Sequence, residues 1–211
     1  MPSKYNKDYF ETKFSSGDPW NYKTSSYESN KYHRQIEISN KYVKDPSNIL
    51  EIGCAEGVFT EILRKEYPSS SITAIDISET AIERSRQKKI NSANFIRTDV
   101  SEFLEDHKNN RFDVVYMSEI IYYLGATLSV RDLLTLVRKL SLLINKGGIL
   151  IMANNIFMTE DIPAYIVEKP LVKTYEFLLG TVLKSLGKKT YVHHDGDKVT
   201  RYRLSVFKKN K

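Results

Sequence analysis

The chain has 211 residues, of which 41% are hydrophobic and 27% are charged, and its formal net charge at neutral pH is +6. This length suits one domain with a sizeable core, and the composition is ordinary for a globular protein. No apolar run approaches the roughly 18 residues of a membrane-spanning helix, and the first residues lack the apolar core of a secretory signal. The single cysteine, Cys54, cannot form a disulfide within the chain. We therefore expect one cytoplasmic domain over residues 1–211 that makes no membrane contact.

The positive charge raises the question of nucleic acid as a partner. Lysines gather in short clusters at residues 88–89, 188–189 and 208–211. These clusters lack the interleaved aromatic side chains that stack on bases. We therefore expect the charge to serve solubility, and nucleic acid is not the expected partner.

Residues 1–45 are expected to form an N-terminal helical cap segment. Ser25, followed three residues later by Glu28, resembles a capping box, and a helix should run from there to about Val43. After this segment, short apolar strands alternate with helices. The predicted strands are 49–52, 72–75, 94–97, 112–117 and 149–153, and the predicted helices are 58–66, 78–89 and 130–144. This alternation predicts a parallel sheet with helices on both faces.

The end of the chain has a different pattern. Two runs typical of strands, 191–194 and 202–207, flank Asp195-Gly196, which is a strong hairpin turn signal because both residues tolerate positive φ. We expect an antiparallel hairpin here, whereas the plain dinucleotide-binding arrangement ends on a parallel strand. Residues 155–189, with a helix from about Val172 to Leu186, should form an insert on the substrate side.

The residues after the first predicted strand are typical of a ligand-binding turn. Gly53, Ala55 and Gly57 allow a sharp turn and a close approach to a ligand at the start of a helix. Asp76 ends the second strand, where a carboxylate can accept hydrogen bonds from both hydroxyls of a ribose, and Asp99 ends the third. All three strand ends face one crevice, although a tight turn with no ligand remains an alternative for the glycine loop alone.

The ligand could be a dinucleotide or a cationic nucleoside. The spacing G-x-A-x-G over residues 53–57 departs from the G-x-G-x-x-G that a pyrophosphate needs. Glu51 and Glu56 would also repel a phosphate. We expect these acids to favour S-adenosylmethionine, which carries an amine and a sulfonium.

These motifs carry a family resemblance over nearly the whole chain. Glu51-x-Gly53-x-Ala55-x-Gly57, Asp76, Asp99 and residues 112–115 resemble, in order, the first four motifs of class I S-adenosylmethionine-dependent methyltransferases. Residues 18–20, 50–55, 59–61 and 119–124 further resemble the rhizobial nodulation methyltransferases of the NodS type, which methylate the free amine of a deacetylated chitooligosaccharide. The resemblance implies a Rossmann-like α/β fold with a seven-stranded, mostly parallel sheet and an antiparallel C-terminal hairpin strand.

The resemblance also implies roles for individual residues. The loop at Gly53 would face the methionine part of the cofactor, Asp76 the ribose, Asp99 and Val100 the adenine, and Ser118 the sulfonium. Trp20 would cover the cofactor, and Lys31 would contact it from the first long helix. The complete expected cofactor-binding set is Trp20, Lys31, Glu51, Gly53, Cys54, Ala55, Gly57, Phe59, Asp76, Ile77, Asp99, Val100 and Ser118.

Methyl transfer to an amine needs an aligned nucleophile that has lost its proton. Glu119, just after the fourth strand, is the candidate proton acceptor. Tyr122 and Tyr123 could hold a cation against their ring faces, or could simply pack in the core. Some class I quinone O-methyltransferases carry an acid and a histidine at these two positions and use them with a metal. In this chain both positions are tyrosine, so we expect no metal here.

The four histidines fit structural roles better than catalytic ones. His33 is expected to be half-buried, with an approach to the substrate as the alternative. His193 and His194 are neighbours on a strand and point to opposite faces, so a hairpin explains them better than a metal site. His107 is expected in a solvated loop.

The expected acceptor is a small molecule, an amino sugar or related amine. O-methylation of a small molecule is the first alternative, and a non-catalytic binding module is the second. The oligomeric state is left open by the sequence.

Overall fold

The computed structural model describes residues 6–125, 128–158 and 162–210, with the backbone alone for residues 125, 157–158, 162–169 and 198. None of the helices within these ranges is long and apolar enough to cross a membrane. The helices are α1 Lys7–Ser15, α2 Ser26–Ser39, α3 Val58–Glu66, α4 Glu79–Gln87, α5 Val100–Asp106, α6 Ile121–Gly125, α7 Val130–Leu142 and α8 Ile162–Gly180. The strands are β1 Asn48–Ile52, β2 Ser71–Asp76, β3 Ala93–Arg97, β4 Phe112–Ser118, β5 Ile144–Met158, β6 Lys184–Asp195 and β7 Lys198–Lys208.

The seven strands form one sheet in the order β3-β2-β1-β4-β5-β7-β6. The first five of these are parallel, whereas β7 lies antiparallel between β5 and β6. The predicted fold class is therefore confirmed. The strand order reverses between β1 and β4, and this is the point at which open α/β sheets bind ligands.

Local sequence explains where the helices that border this point begin. The side chains of Ser25, Ser78 and Asp99 each accept a hydrogen bond from a backbone N–H in the first turn of α2, α4 and α5. Only half of the predicted capping box at Ser25 is present, because the Glu28 carboxylate is turned toward Lys31. Helix α2 ends at Ser39, four residues before the predicted Val43.

The two faces of the sheet bury separate cores. On one face, α2 and α3 pack Tyr32, Ile36 and Leu63 against β1 and β4. On the other face, α7 and α8 bury Leu140 and Tyr175, both fully, against β4 and β5. Burial of side chains of this size is the main stabilising contribution to such a domain.

The secondary structure differs from the predictions at three places. Helix α1 was not predicted, although Phe10 and Phe14 lie four residues apart on one of its faces. Helix α8 begins ten residues before the predicted Val172, and β6 begins at Lys184, seven residues before the predicted hairpin strand at Tyr191. Strand β5 begins at Ile144, five residues before the predicted start at Ile149, and a register shift against β4 accommodates Gly147 and Gly148.

Candidate active site

A cleft with an empty volume of about 770 Å³ lies over the carboxyl ends of the parallel strands. Among the described residues that line it there are three carboxylates, Asp76, Asp99 and Glu119, but no lysine or arginine. The remaining lining residues are Phe10, Phe14, Trp20, Tyr22, Gly53, Ala55, Ile75, Ile77, Thr98, Val100, Ser118, Ile120, Tyr123 and Leu124. The cleft therefore combines apolar walls with acidic groups, which suits a ligand that has an aromatic part and a positive charge.

The floor of the cleft is the turn between β1 and α3. Gly53, Ala55 and Gly57 all have positive φ, at 79°, 47° and 71°. A Cβ atom at Gly53 would lie 3.1 Å from the side chain of Ile120, so the absence of a side chain there keeps the cleft open. Gly57 is the N-cap of α3 and does not line the cleft.

Replacing Gly57 with alanine should lower the free energy of unfolding by about 2 kcal/mol, because φ is positive and the new Cβ would meet Phe95 and Ser85 at 3.1 Å. Gly196→Ala is the matched control, since its φ is 57° but nothing lies within 4 Å of the new Cβ. Urea denaturation should show a smaller loss for the control. Equal losses would show that the contacts of Gly57 contribute nothing.

Asp76 is held in position by hydrogen bonds from two backbone N–H groups. Its Oδ2 accepts a hydrogen bond from Ala55 N at 2.9 Å, and its Oδ1 accepts one from Ser78 N at 3.0 Å. Burial raises the pKa of Asp76, although these hydrogen bonds oppose the shift. Each oxygen keeps a second lone pair, so the carboxylate can still accept hydrogen bonds from a ligand diol.

Asp99 and Val100 lie at the next strand end. Asp99 Oδ1 caps α5 by accepting a hydrogen bond from Ser101 N at 2.7 Å. Val100, Ile77 and Thr98 also line the cleft, so apolar side chains are present beside this carboxylate. A flat ring with an amino group fits between such walls beside a carboxylate.

The N-terminal segment covers the cleft with aromatic rings. Trp20 packs against Phe14 and Tyr22, with ring centroids 5.4 and 5.7 Å apart, and Phe10 packs against Tyr123 at 4.9 Å. Helix α1 is fixed by Glu11, whose carboxylate accepts hydrogen bonds from the backbone of Glu79 and from both N and Oγ1 of Thr80. A carboxylate at the N-terminus of α4 is favourably placed for the helix dipole.

A recess beside the floor of the cleft contains Glu51, Phe59 and Cys54. Phe59 stacks on Tyr32 with centroids 4.6 Å apart, and the Cys54 side chain packs in the core against Phe95. Burial raises the pKa of Glu51 to about 8, although a hydrogen bond from Thr60 lowers it. Glu51 is therefore mostly protonated at neutral pH in the ligand-free protein.

The raised pKa of Glu51 predicts a pH dependence of stability. Because the folded-state pKa of about 8 exceeds the value of 4.5 for an exposed carboxyl, the stabilisation is complete below pH 4.5 and is lost as pH rises to 8, at up to about 1.4 kcal/mol per pH unit. Glu51→Gln should remove this loss. In urea denaturation, the free energy of unfolding of the variant relative to that of the parent protein should therefore increase from pH 5 to 8. The control is Glu83→Gln, at an exposed position, whose free energy of unfolding should depend on pH as that of the parent protein does. The same pH dependence in Glu51→Gln would contradict the raised pKa of Glu51.

Glu119 lies at the centre of a buried polar network. Its Oε1 accepts hydrogen bonds from Tyr27 Oη and Lys31 Nζ, both at 2.7 Å, and its Oε2 contacts Tyr122 Oη at 2.9 Å and Asn155 N at 2.8 Å. Burial alone would raise the pKa of Glu119, but the charge of Lys31 and these hydrogen bonds lower it below its ordinary value. A carboxylate with four partners and a lowered pKa is a poor proton acceptor, which argues against the predicted role of Glu119 as a base.

Several other predicted site residues lie elsewhere. Lys31 is fully buried, and its Nζ is bonded to Glu28 and Glu119, so this geometry contradicts a direct cofactor contact. Tyr123 lines the cleft, but Tyr122 does not, because its hydroxyl contacts Glu119 and Asn155 O.

The charge argument from Glu56 was also wrong. Its carboxylate is buried away from the cleft and pairs with Arg84 at 2.6 Å and Lys23 at 3.3 Å. The acidic character of the cleft comes instead from Asp76, Asp99 and Glu119.

The histidines take no part in the cleft. His33 is exposed rather than half-buried, and its ring bonds to Ser29 O at 2.8 Å. His107 lies in the turn after α5, where it is half-buried and stacks on Phe103. His193 and His194 are consecutive on β6, and within the described ranges no three His, Cys, Asp or Glu side chains are arranged so that they could hold a metal ion.

Comparison with known proteins identifies the family. The sequence model described as Nodulation protein S (NodS) matches residues 3–155, more than half of the chain. The chain belongs to the NodS family. The membership implied by the sequence resemblance is thus confirmed.

NodS relatives are moderately similar in sequence. Nodulation protein S of Bradyrhizobium diazoefficiens is 30% identical over 126 residues, which are 59% of this chain and 57% of that protein. Nodulation protein S of Sinorhizobium fredii is 32% identical over 117 residues, which are 54% of this chain and 51% of that protein. The chain thus spans about half the length of the curated NodS relatives that it matches.

The crystal structure of N-methyltransferase NodS from Bradyrhizobium japonicum in complex with S-adenosyl-L-homocysteine has the same fold. It superposes with a TM-score of 0.76 at 21% identity, covering 98% of this chain and all of that chain. At this identity the likeness concerns the fold. It places this NodS-family chain on the same scaffold.

Proposed function

We propose that the protein is an S-adenosylmethionine-dependent methyltransferase that methylates an amine on a small molecule, with an amino sugar as the first candidate. The observation that carries the proposal is the convergence of Asp76, Asp99 and the open turn at Gly53 in one acidic cleft without basic residues among its described walls. The relative from Bradyrhizobium japonicum, an N-methyltransferase crystallised with S-adenosylhomocysteine, supports both cofactor and reaction.

The residues of the cleft fit the cofactor on two observations. First, a Cβ atom at Gly53 would narrow the cleft. Second, backbone N–H groups orient both carboxylate oxygens of Asp76, and each oxygen retains a lone pair for a ligand. In this assignment Asp76 holds the ribose hydroxyls, and Asp99 with Val100 holds the adenine. Trp20 and Phe14 exclude water from above. A pyrophosphate would meet carboxylates here instead of cations, which disfavours a dinucleotide.

S-adenosylmethionine supplies an electrophilic methyl carbon on a positively charged sulfur. The chain contributes alignment and a suitable field. Glu28 and Glu119 share the single ammonium of Lys31, so this group has a formal charge of −1 beside the cleft. Such a charge favours a sulfonium and an ammonium near Ser118 and Glu119.

An amine acceptor must release a proton before it can attack the methyl carbon. Because Glu119 is saturated with hydrogen-bond donors, we assign it to positioning and electrostatics, and the proton passes to solvent at the mouth of the cleft. Tyr123 and Tyr22 line the cleft and offer ring faces to the cationic acceptor. Tyr122 contributes by contacting Glu119.

Paired acceptors test this function. The purified protein, S-adenosylmethionine and a glucosamine oligomer should give a product heavier by one methylene, whereas the fully N-acetylated oligomer should remain unchanged. Equal methylation of both would assign the reaction to the hydroxyl groups of the sugar. If the protein binds S-adenosylhomocysteine but transfers no methyl group to any amine or hydroxyl acceptor, the result would indicate a non-catalytic binding module.

We also propose that residues 1–211 act as one domain, with residues 1–45 as its cap and the region around α8 on the substrate side. The support is the continuous sheet and the packing of α1 on α4 through Glu11. We propose a cytoplasmic location, supported by the single, buried cysteine.

A further inference from the structure

The net charge of the chain is concentrated in its C-terminal hairpin. Residues 184–211 contain nine lysines or arginines and two aspartates, a formal charge of +7, whereas the whole chain carries +6. The other 183 residues together therefore have a formal charge of −1. Seven of these nine basic residues lie on β6 and β7, so this pair of strands carries most of the excess positive charge.

A groove separate from the cofactor cleft lies where α8 meets β6 and β7. Its empty volume is about 830 Å³, and it shares no lining residue with the cleft. The side chains that matter for its chemistry are Lys173, Glu176, Phe177 and Lys188. Phe177 is 71% exposed, an unusual position for a phenylalanine.

Two cationic side chains at this groove pair with the same acid, Glu176. Glu176 is only 10% exposed, and its carboxylate pairs with Lys188 at 3.0 Å and with Arg203 at 3.5 Å, while Ser205 donates a hydrogen bond to it at 2.7 Å. Lys188 itself is 60% exposed. The acid thus holds both cationic side chains, of which the Lys188 ammonium faces solvent and Arg203, at 16% exposed, lies beside the acid.

The same side of the hairpin continues with a second apolar residue. Val192 lies four residues after Lys188 on β6, so the two side chains share a face of the strand. Val192 is 52% exposed and pairs in register with the exposed Arg201. We call the set Lys173, Phe177, Lys188, Val192, Arg201 and Arg203 the basic–apolar face.

We propose that the basic–apolar face docks the protein on an anionic lipid surface. Three exposed cationic side chains, Lys173, Lys188 and Arg201, supply attraction to lipid phosphates. Two exposed apolar side chains can enter the interfacial layer, which gives the two signals that reversible membrane binding needs. An acidic protein could meet the charges, but Phe177 and Val192 would then need matching pockets, whereas a lipid interface accepts them without any. This replaces the expectation of no membrane contact and is independent of the methyl-transfer proposal.

Co-sedimentation of the full chain with vesicles tests the proposal. The protein should pellet with vesicles of phosphatidylcholine mixed with phosphatidylglycerol, should stay in solution with phosphatidylcholine alone, and should be released by high salt. The double variant Lys173→Ala/Lys188→Ala should bind about thirtyfold more weakly, and Phe177→Ala about tenfold more weakly. The matched control is Lys41→Ala/Lys65→Ala, which removes two lysines that are 61% and 73% exposed elsewhere.

Three outcomes would overturn the proposal. The first is no binding to anionic vesicles, or equal binding to neutral ones. The second is an equal loss in the control and in the double variant at the basic–apolar face. The third is retention on an acidic protein or on RNA without retention on anionic vesicles, which would assign the face to that other partner. Unchanged circular dichroism of the variants would confirm that they fold.

Discussion

Replacing Asp76 with alanine should weaken the binding of S-adenosylhomocysteine by about a hundredfold or more. In the proposed assignment the carboxylate accepts hydrogen bonds from both ribose hydroxyls, and each bond to a charged group contributes about 1.5–3 kcal/mol. The carboxylate is already oriented by Ala55 N and Ser78 N, so the ligand has no side chain to order there. Isothermal titration of both proteins gives the two dissociation constants directly.

Asp113→Ala is the matched control for this measurement. Asp113 also accepts hydrogen bonds from backbone N–H groups, those of Ser47 and Asn48 at 2.8 and 3.0 Å, but it lies at the amino end of β4, away from the cleft. The control should lower the free energy of unfolding and leave ligand affinity unchanged. An Asp76→Ala protein that binds within twofold of the parent would show that the ribose is held elsewhere.

Replacing Lys31 with methionine should lower the free energy of unfolding by about 3–5 kcal/mol, because the buried Glu28 and the half-buried Glu119 would lose the cation that they share. Burial would lower the pKa of Lys31, but the charges of Glu119 and Glu28 raise it above its ordinary value, so the ammonium remains charged. The Lys31 side chain is fully buried, with its Nζ 2.7 Å from Glu119 and 2.9 Å from Glu28. Urea denaturation at neutral pH measures the change.

Lys65→Met is the control for the Lys31 variant. Lys65 also bonds a glutamate, Glu61, at 2.9 Å, but it is 73% exposed, so its loss should cost less than about 1 kcal/mol. The double variant Lys31→Met/Glu119→Gln should recover part of the stability, since it removes one of the uncompensated charges. Equal effects of Lys31→Met and Lys65→Met would contradict the account of a coupled buried network.

The sequence was most informative where chemistry follows from strand order. Gly53, Asp76 and Asp99 could be assigned to one site because the carboxyl ends of neighbouring parallel strands meet at one edge. The hydrogen bond between Lys31 and Glu119 joins residues 88 positions apart, so no local sequence pattern predicts it. The orientation of Glu56 likewise depends on Arg84, 28 positions away.

Local signals were also weak at both ends of the chain. Helix α1 is polar, and only Phe14 within it is buried, so it lacks a broad apolar stripe. The first half of β6 is rich in lysine and mostly exposed, because it forms the edge of the sheet, where the alternation of apolar and polar residues is lost.

The most direct test of the central claim is a crystal structure of the protein with S-adenosylhomocysteine. We expect the ribose hydroxyls at the carboxylate of Asp76, the adenine beside Asp99 and Val100, and the sulfur facing Ser118 and Glu119 under the cover of Trp20. A ligand bound outside this cleft, or a ribose that does not contact Asp76, would contradict the account.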